Sequence, residues 1–404
     1  ARGVEVAMAY PRGPVYLMLP REPLAAALTE PIAPIKPRAQ AAPVYPDPRA
    51  IATLAEWIAG AERPLIITSA LPAAAVPLLA HLAERCAIPV VAHNSRTVCM
   101  PSNHPMHFGF EPGALLADSD MVIVLESDVP WLPSLTHAQA GCRVAHVGED
   151  PFYVRYPMRS FPSDLAVQAG AVNALQALNS AVEQRLQMAE ARIAARRARL
   201  TERMRLRRAQ LAKEAAPAAH ISPEYLSHAI GEAFGDDAII VNEYPLRSDQ
   251  CGREKPGTFF ALGSAGGLGW GFGAALGVKL ASPDAFVVAT LGDGAYMFAN
   301  PTVGHWISGA QGLPTLTIVF NNSRYGAVRR ATLSMFKEGA AGENDGRGLA
   351  DLDPSPPFEA MAKAQGAHAE RVEKPADLPD ALMRARDAVV NNKRQALLNV
   401  ITPY

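Results

Sequence analysis

The sequence predicts an α/β protein built from two doubly wound parallel-sheet domains. Its 404 residues exceed what one hydrophobic core usually serves and suit two to three domains. Short apolar runs recur without polar alternation, as in Leu65-Ile66-Ile67 and Val122-Ile123-Val124-Leu125, which is the pattern of strands covered on both faces. Helical stretches separate these runs, so the connections are those of a parallel sheet.

Residues 1–30 read as a helix around Val4, Val6 and Ala7, a Pro-Arg-Gly turn at 11–13, and a buried strand Val15-Tyr16-Leu17-Met18-Leu19. One helix and one strand do not make a domain, so this segment is expected to be the tail of an earlier one. Residues 31–48 carry Pro31, Pro34, Pro37, Pro43, Pro46 and Pro48, a composition that stiffens a chain and prevents helix, and are expected to form a linker. Residues 49–180 form the central domain, with strands at 65–68, 89–92, 121–125 and 143–147 and a helix near 73–86.

Residues 171–214 contain no Pro and no Gly and read as long helix. Its basic part, within a helical linker at 181–221, is expected to present a solvated face or a subunit contact rather than a nucleic-acid surface. Residues 222–404 form the second unit. It opens on the helix start Ser222-Pro223-Glu224-Tyr225 and has strands at 238–241, 286–291, 316–320 and 396–401.

Lys plus Arg (38) nearly balance Asp plus Glu (39), leaving a formal charge of -1 and no global field to recruit nucleic acid or an anionic membrane. Cys86, Cys99, Cys142 and Cys251 form no C-x-x-C pair, which excludes a zinc knuckle and points to the reducing cytoplasm. No apolar run approaches the ~20 residues of a membrane span.

The chemistry concentrates where strands end. Strand 286–291 runs into Gly292-Asp293-Gly294, and after 26 further residues strand 316–320 runs into Asn321-Asn322. A carboxylate and carboxamides therefore share one sheet edge, where ligands of open parallel sheets bind. Mg2+ takes few protein oxygens plus phosphate oxygens, so this set suits a metal-bound diphosphate. The Gly-rich stretch at 263–274 fits a dinucleotide loop only loosely and has no strand directly before it.

Gly-Asp-Gly, this spacing and Asn-Asn together resemble the motif of thiamine diphosphate enzymes. Gly263-Ser264-Ala265-Gly266-Gly267-Leu268-Gly269-Trp270 and Asn321-Asn322-Ser323-Arg324-Tyr325-Gly326 are similar to the benzoylformate decarboxylase branch of the acetolactate synthase and pyruvate decarboxylase superfamily. Residues 11–22 resemble the end of that superfamily's pyrimidine-binding domain. The resemblance implies thiamine diphosphate and Mg2+ as cofactors, with Asp293, Asn322 and the main-chain carbonyl of Arg324 as metal ligands. Gly292, Gly294, Ala295, Tyr325, Gly326 and Ala327 would lie along the diphosphate, with Glu243 and Tyr244 on the neighbouring turn. Gly266 would accept a hydrogen bond from the aminopyrimidine, beside Gly267, and Leu268 would support the bent cofactor. Gly266 and Leu268 are thus the catalytic candidates.

The implied activity is decarboxylation or carboligation of 2-oxo acids in a cytoplasmic homo-oligomer, dimer or tetramer, that needs a pyrimidine-binding domain from a missing N-terminal part. The alternative is a non-catalytic chain that binds cofactor or nucleotide and scaffolds or regulates a partner. In some relatives the central domain binds FAD, but a structural role without FAD is the expectation here. Two departures stand out. Ala295 replaces a frequent Ser, and Asn242-Glu243-Tyr244-Pro245-Leu246 lacks the Ser and Thr that benzoylformate decarboxylases place near the phosphates.

Overall fold

The computed structural model describes residues 2–34, 39, 41–263, 266–343 and 350–403. Ser264, Ala265 and Pro37, named above, lie outside the described residues. Two sheets organise the chain, and every pairing between their strands is parallel.

The central sheet comprises β1 (Pro64–Thr68), β2 (Val90–Val91), β3 (Met121–Leu125), β4 (Arg143–Gly148) and β5 (Leu165–Gln168), in the order β2-β1-β3-β4-β5. Its register sets Ile66 opposite both Val90 and Ile123. All five residues of β1 and of β3 are buried, because the helices Pro48–Gly60, Val76–Cys86 and Ala171–Glu183 cover the sheet through Leu54, Ile58, Leu79, Leu82, Leu175 and Leu178. Burying each of Leu65, Ile66 and Ile67 contributes roughly 1.5–3 kcal/mol. Asp47 starts the first helix by accepting the Arg49 N–H at 2.8 Å, with Pro48 at its first turn.

The expected long helix is two: Ala171–Glu183, then Leu186–Glu214. The second does more than link. Arg196 is only 2% exposed and donates to the carbonyls of Ile58 at 2.6 Å, Cys86 at 2.9 Å and Ala61. These carbonyls lie in or just beyond the last turns of two sheet-covering helices, where the backbone has no helical partner of its own. Leu200 and Met204 join the same core. Spacing alone marks a basic helix. It does not show that one arginine turns inward to satisfy helix ends.

The second sheet comprises β6 (Ala238–Glu243), β7 (Phe259–Ala261), β8 (Phe286–Gly292), β9 (Leu316–Asn321), β10 (His368–Val372) and β11 (Ala396–Ile401), ordered β10-β11-β9-β8-β6-β7. Ser222 caps the helix Pro223–Phe234 by accepting the Tyr225 N–H at 3.0 Å. The chain adds β7 at one side of β6 and β8 at the other, so the order reverses at β6 and a crevice opens between the carboxyl ends of β6 and β8.

Two differences from the sequence-based expectations have separate causes. The segment Val15–Leu19 forms no strand, and Tyr16 is 91% exposed; a strand needs a neighbour to take its backbone hydrogen bonds, and none lies beside it among the described residues. Conversely β5, β7 and β10 were not foreseen. All three are edge strands, partly exposed: β10 is interrupted by His368, Glu370 and Arg371, while the apolar runs of β5 and β7 are only three or four residues long.

Candidate functional site

The carboxyl ends of β6, β8 and β9 open on a cavity of about 380 Å³. Asp293 follows β8 directly, buried at the first turn of the helix Asp293–Phe298. Its carboxylate is held at both oxygens: Gly294 donates its N–H to Oδ1 at 2.8 Å and Arg324 its N–H to Oδ2 at 3.0 Å. Burial raises the Asp293 pKa, and these backbone donors oppose the rise.

The two asparagines after β9 divide their work. Asn321 is fully buried, donates to Ser355 and Asn399 at 2.9 Å each, and accepts the Ser323 N–H, which ties β9 to its neighbour β11. Asn322 lines the cavity, and its buried Oδ1 has no hydrogen-bond partner among the described residues. An unpaired buried carbonyl oxygen costs about 1–3 kcal/mol, and a cation beside Asp293 would relieve it. Among the described residues no three His, Cys, Asp or Glu groups gather to hold a metal. A cation here would rest on one carboxylate, one carboxamide and oxygens from elsewhere, a donor set suited to Mg2+ with phosphate.

Gly294 faces the ring of Tyr325 so closely that a Cβ would lie 2.5 Å from it. The Arg324 carbonyl, the third ligand implied by resemblance, accepts the Gly326 N–H at 2.8 Å in a tight turn, and its second lone pair is what a cation could use. The Arg324 side chain pairs with Asp351 at 2.5 Å.

Glu243 ends β6 fully buried, and its carboxylate accepts the N–H groups of Gly269 at 2.6 Å and Gly271 at 2.5 Å. It therefore caps the helix Trp270–Ala281, and burial raises its pKa against those donors. Tyr244 and Ser323, just past β6 and β9, adopt positive φ of 74° and 55°. Such backbone is uncommon for residues with a side chain and clusters at functional edges.

Of the fourteen cofactor candidates, the cavity gathers Glu243, Tyr244, Leu268, Gly292, Asp293, Gly294, Ala295, Asn322, Arg324, Tyr325, Gly326 and Ala327. Gly266 instead lines a neighbouring cleft of about 670 Å³ between the two units, where Tyr244 and Arg247 also stand, and Gly267 lines neither. Sequence reasoning missed Glu224, Arg247 and Arg330 on the cavity wall. Glu224 follows the recognised helix start Ser222, which was the one signal available.

In the central domain, side chains bridge the ends of β1 and β3 at the corresponding crevice. Ser69 and Ser127 share a hydrogen bond of 2.6 Å, Arg96 pairs with Asp128 at 3.1 Å, and Arg159 donates to the carbonyls of Ser127 and Asp128.

Residues 51–178 match the family model "Thiamine pyrophosphate enzyme, central domain", and residues 246–400 match "Thiamine pyrophosphate enzyme, C-terminal TPP binding domain". Glyoxylate carboligase of Escherichia coli O157:H7 is 26% identical over 372 residues, covering 86% of this chain and 60% of its own. Benzoylformate decarboxylase of Pseudomonas aeruginosa is 27% identical over 406 residues, covering 95% and 70%. The chain thus spans less than two thirds of the first relative's length. The crystal structure of benzoylformate decarboxylase from Polynucleobacter necessarius shares the fold, with a TM-score of 0.74 at 20% identity over 100% of this chain and 72% of that one. Two adjoining domain models that together take in more than half of the sequence, over a site built at the switch point of the second sheet, place this chain in the thiamine pyrophosphate enzyme family.

Proposed function

We propose that this chain forms the diphosphate-binding part of a thiamine diphosphate- and Mg2+-dependent enzyme that cleaves or forms C-C bonds of 2-oxo acids, as a decarboxylase or carboligase. The observation that carries the reading is the orphaned Asn322 Oδ1 beside the doubly anchored Asp293 carboxylate on one cavity wall. Asp293, Asn322 and the Arg324 carbonyl would hold Mg2+. The backbone at Gly294, Ala295, Gly326 and Ala327 would meet the diphosphate, with Tyr325 packed over Gly294. Gly266 would accept from the aminopyrimidine, and Leu268, packed against the core below, would support the cofactor's bend. When bound, the cofactor supplies a carbon nucleophile and an electron sink at the bond that breaks. The protein's share is to fix that cofactor and exclude water around it.

Glu243 serves this site indirectly, since its carboxylate is committed to the helix Trp270–Ala281. The central domain is read as a structural one without FAD. A pyrimidine-binding domain, in the same polypeptide or another chain, and a cytoplasmic homo-oligomer complete the proposal. No helix among the described residues is long and apolar enough to cross a membrane.

Calorimetry of the full-length protein with thiamine diphosphate and Mg2+ tests the reading. Metal-dependent binding lost in Asp293→Ala is the expected outcome, and binding unchanged in that variant would refute it. Product analysis with aliphatic and aromatic 2-oxo acids then separates aldehyde release from 2-hydroxy ketone formation.

A further inference from the structure

At the ends of β6 and β8 the chain presents Tyr244-Pro245-Leu246 and Ala295, none of which carries an aliphatic hydroxyl. Something else must offset the charge, because a cation whose own ligand is Asp293 leaves the diphosphate net negative. Three arginines line the cavity, Arg247, Arg324 and Arg330. Arg324 is committed to Asp351, and Arg330 projects from the exposed side of the helix Gly326–Met335.

Arg247 is placed differently. Its backbone N–H is anchored on the buried Ser227 Oγ at 2.9 Å, which fixes where its side chain starts. Its Nε donates to Glu224 Oε1 at 3.0 Å, while neither terminal amino group has a protein partner among the described residues. Glu224 lines the same cavity.

We infer that Arg247 is a diphosphate-binding residue of this chain, held ready by Glu224. The inference rests on the cofactor reading above. A guanidinium suits the task because its two free amino groups can reach two oxygens of one phosphate in a planar fork. Glu224 orients that fork in the free protein and competes with the diphosphate for it. The pair therefore makes opposite demands on its two members: removing the arginine weakens binding, whereas neutralising the glutamate strengthens it.

The test is titration calorimetry of the full-length protein with inorganic pyrophosphate and with thiamine diphosphate, each with Mg2+. Arg247→Met is expected to weaken both about tenfold, the low end for a charge-assisted contact at a half-exposed side chain, with Arg247→Lys in between. Glu224→Gln is expected to bind several-fold more tightly and to lose affinity with added salt more steeply. Asp293→Ala is the reference. If it abolishes pyrophosphate binding while Arg247→Met and Glu224→Gln bind like the parent, the inference is wrong and the cofactor reading survives. If Asp293→Ala also binds like the parent, both fall. Melting temperatures of the variants within a few degrees of the parent establish that folding is intact. An unfolded Arg247→Met is replaced by the Arg247→Lys and Glu224→Gln pair, whose opposite shifts support the inference and whose unchanged binding overturns it.

Discussion

Replacing Asn322 by Leu sets the cation reading against folding stability in one experiment. The side chains are similar in size, and the substitution deletes a buried oxygen that has no partner among the described residues. Leaving such an oxygen unpaired costs about 1–3 kcal/mol, so Asn322→Leu should stabilise the ligand-free protein by up to that amount. At about 2–4 °C per kcal/mol for a domain of this size, melting should rise by a few degrees. With Mg2+ and thiamine diphosphate at 100 times the dissociation constant, the parent gains ~2.7 kcal/mol from binding, which offsets most or all of the variant's advantage. The variant should gain little. Differential scanning fluorimetry with and without the two ligands reads both effects. A variant that melts lower without ligand and still gains the full increment with it would show that Asn322 holds no cation.

Further predictions concern the scaffold. Glu126, just beyond β3, has its pKa pushed from 4.5 to about 7, mainly by burial. An acid whose folded pKa is raised loses relative stability as pH climbs between those values, at most ~3 kcal/mol at 1.36 kcal/mol per pH unit. Glu126→Gln should therefore melt higher than the parent at pH 8 and about equally at pH 4.5; an equal difference at both would count against the assignment. His305 is buried with its pKa held below 6.5 by desolvation, donating from Nδ1 to Gln395 at 2.8 Å and accepting the Tyr296 hydroxyl at 2.6 Å. The tautomer follows from Gln395, whose amide nitrogen is spent on the His305 and Gln365 carbonyls. The neutral imidazole's stability is present above pH 6.5 and lost as pH falls through the folded pKa, so chemical denaturation should show a decline on acidification that His305→Gln lacks. Arg196→Met should destabilise by about 3 kcal/mol or more by stranding buried carbonyls, whereas Arg205→Met, which breaks an exposed pair with Glu202, should stay within about 0.5 kcal/mol in the same urea titration.

The inner strands were legible because a strand buried on both faces is mostly apolar, as Leu65 to Ile67 and Phe286 to Ala289 are. The metal-ligand candidates were legible because Gly292-Asp293-Gly294 and Asn321-Asn322 mark strand ends whatever the rest of the chain does. What was hidden depends on long-range placement. Glu243 reads as a cofactor residue until its carboxylate is seen capping a helix that begins 27 residues later at Trp270. Arg247 reads as a solvent charge until β6 carries it to the cavity wall. The edge strands were hidden for a different reason: the polar residues of β10 break its pattern, and the apolar runs of β5 and β7 are too short to stand out.

The basic helix Leu186–Glu214 also acts as a ruler. Arg196 grips the carbonyls of the central unit, and Arg207, eleven residues on, pairs with Asp249 beside the turn that follows β6. Gln250 and Arg208 add bonds to the Leu211 and Asn103 carbonyls at the same end. Eleven residues make almost three whole turns, about 16 Å of rise, so both grips fall on one face. Inserting a single residue between them would swing the far grip about 100° around the axis, while eleven would restore the phase and only lengthen the reach. In this helix length is quantised: drift by single residues is forbidden, and changes that preserve the angle are open.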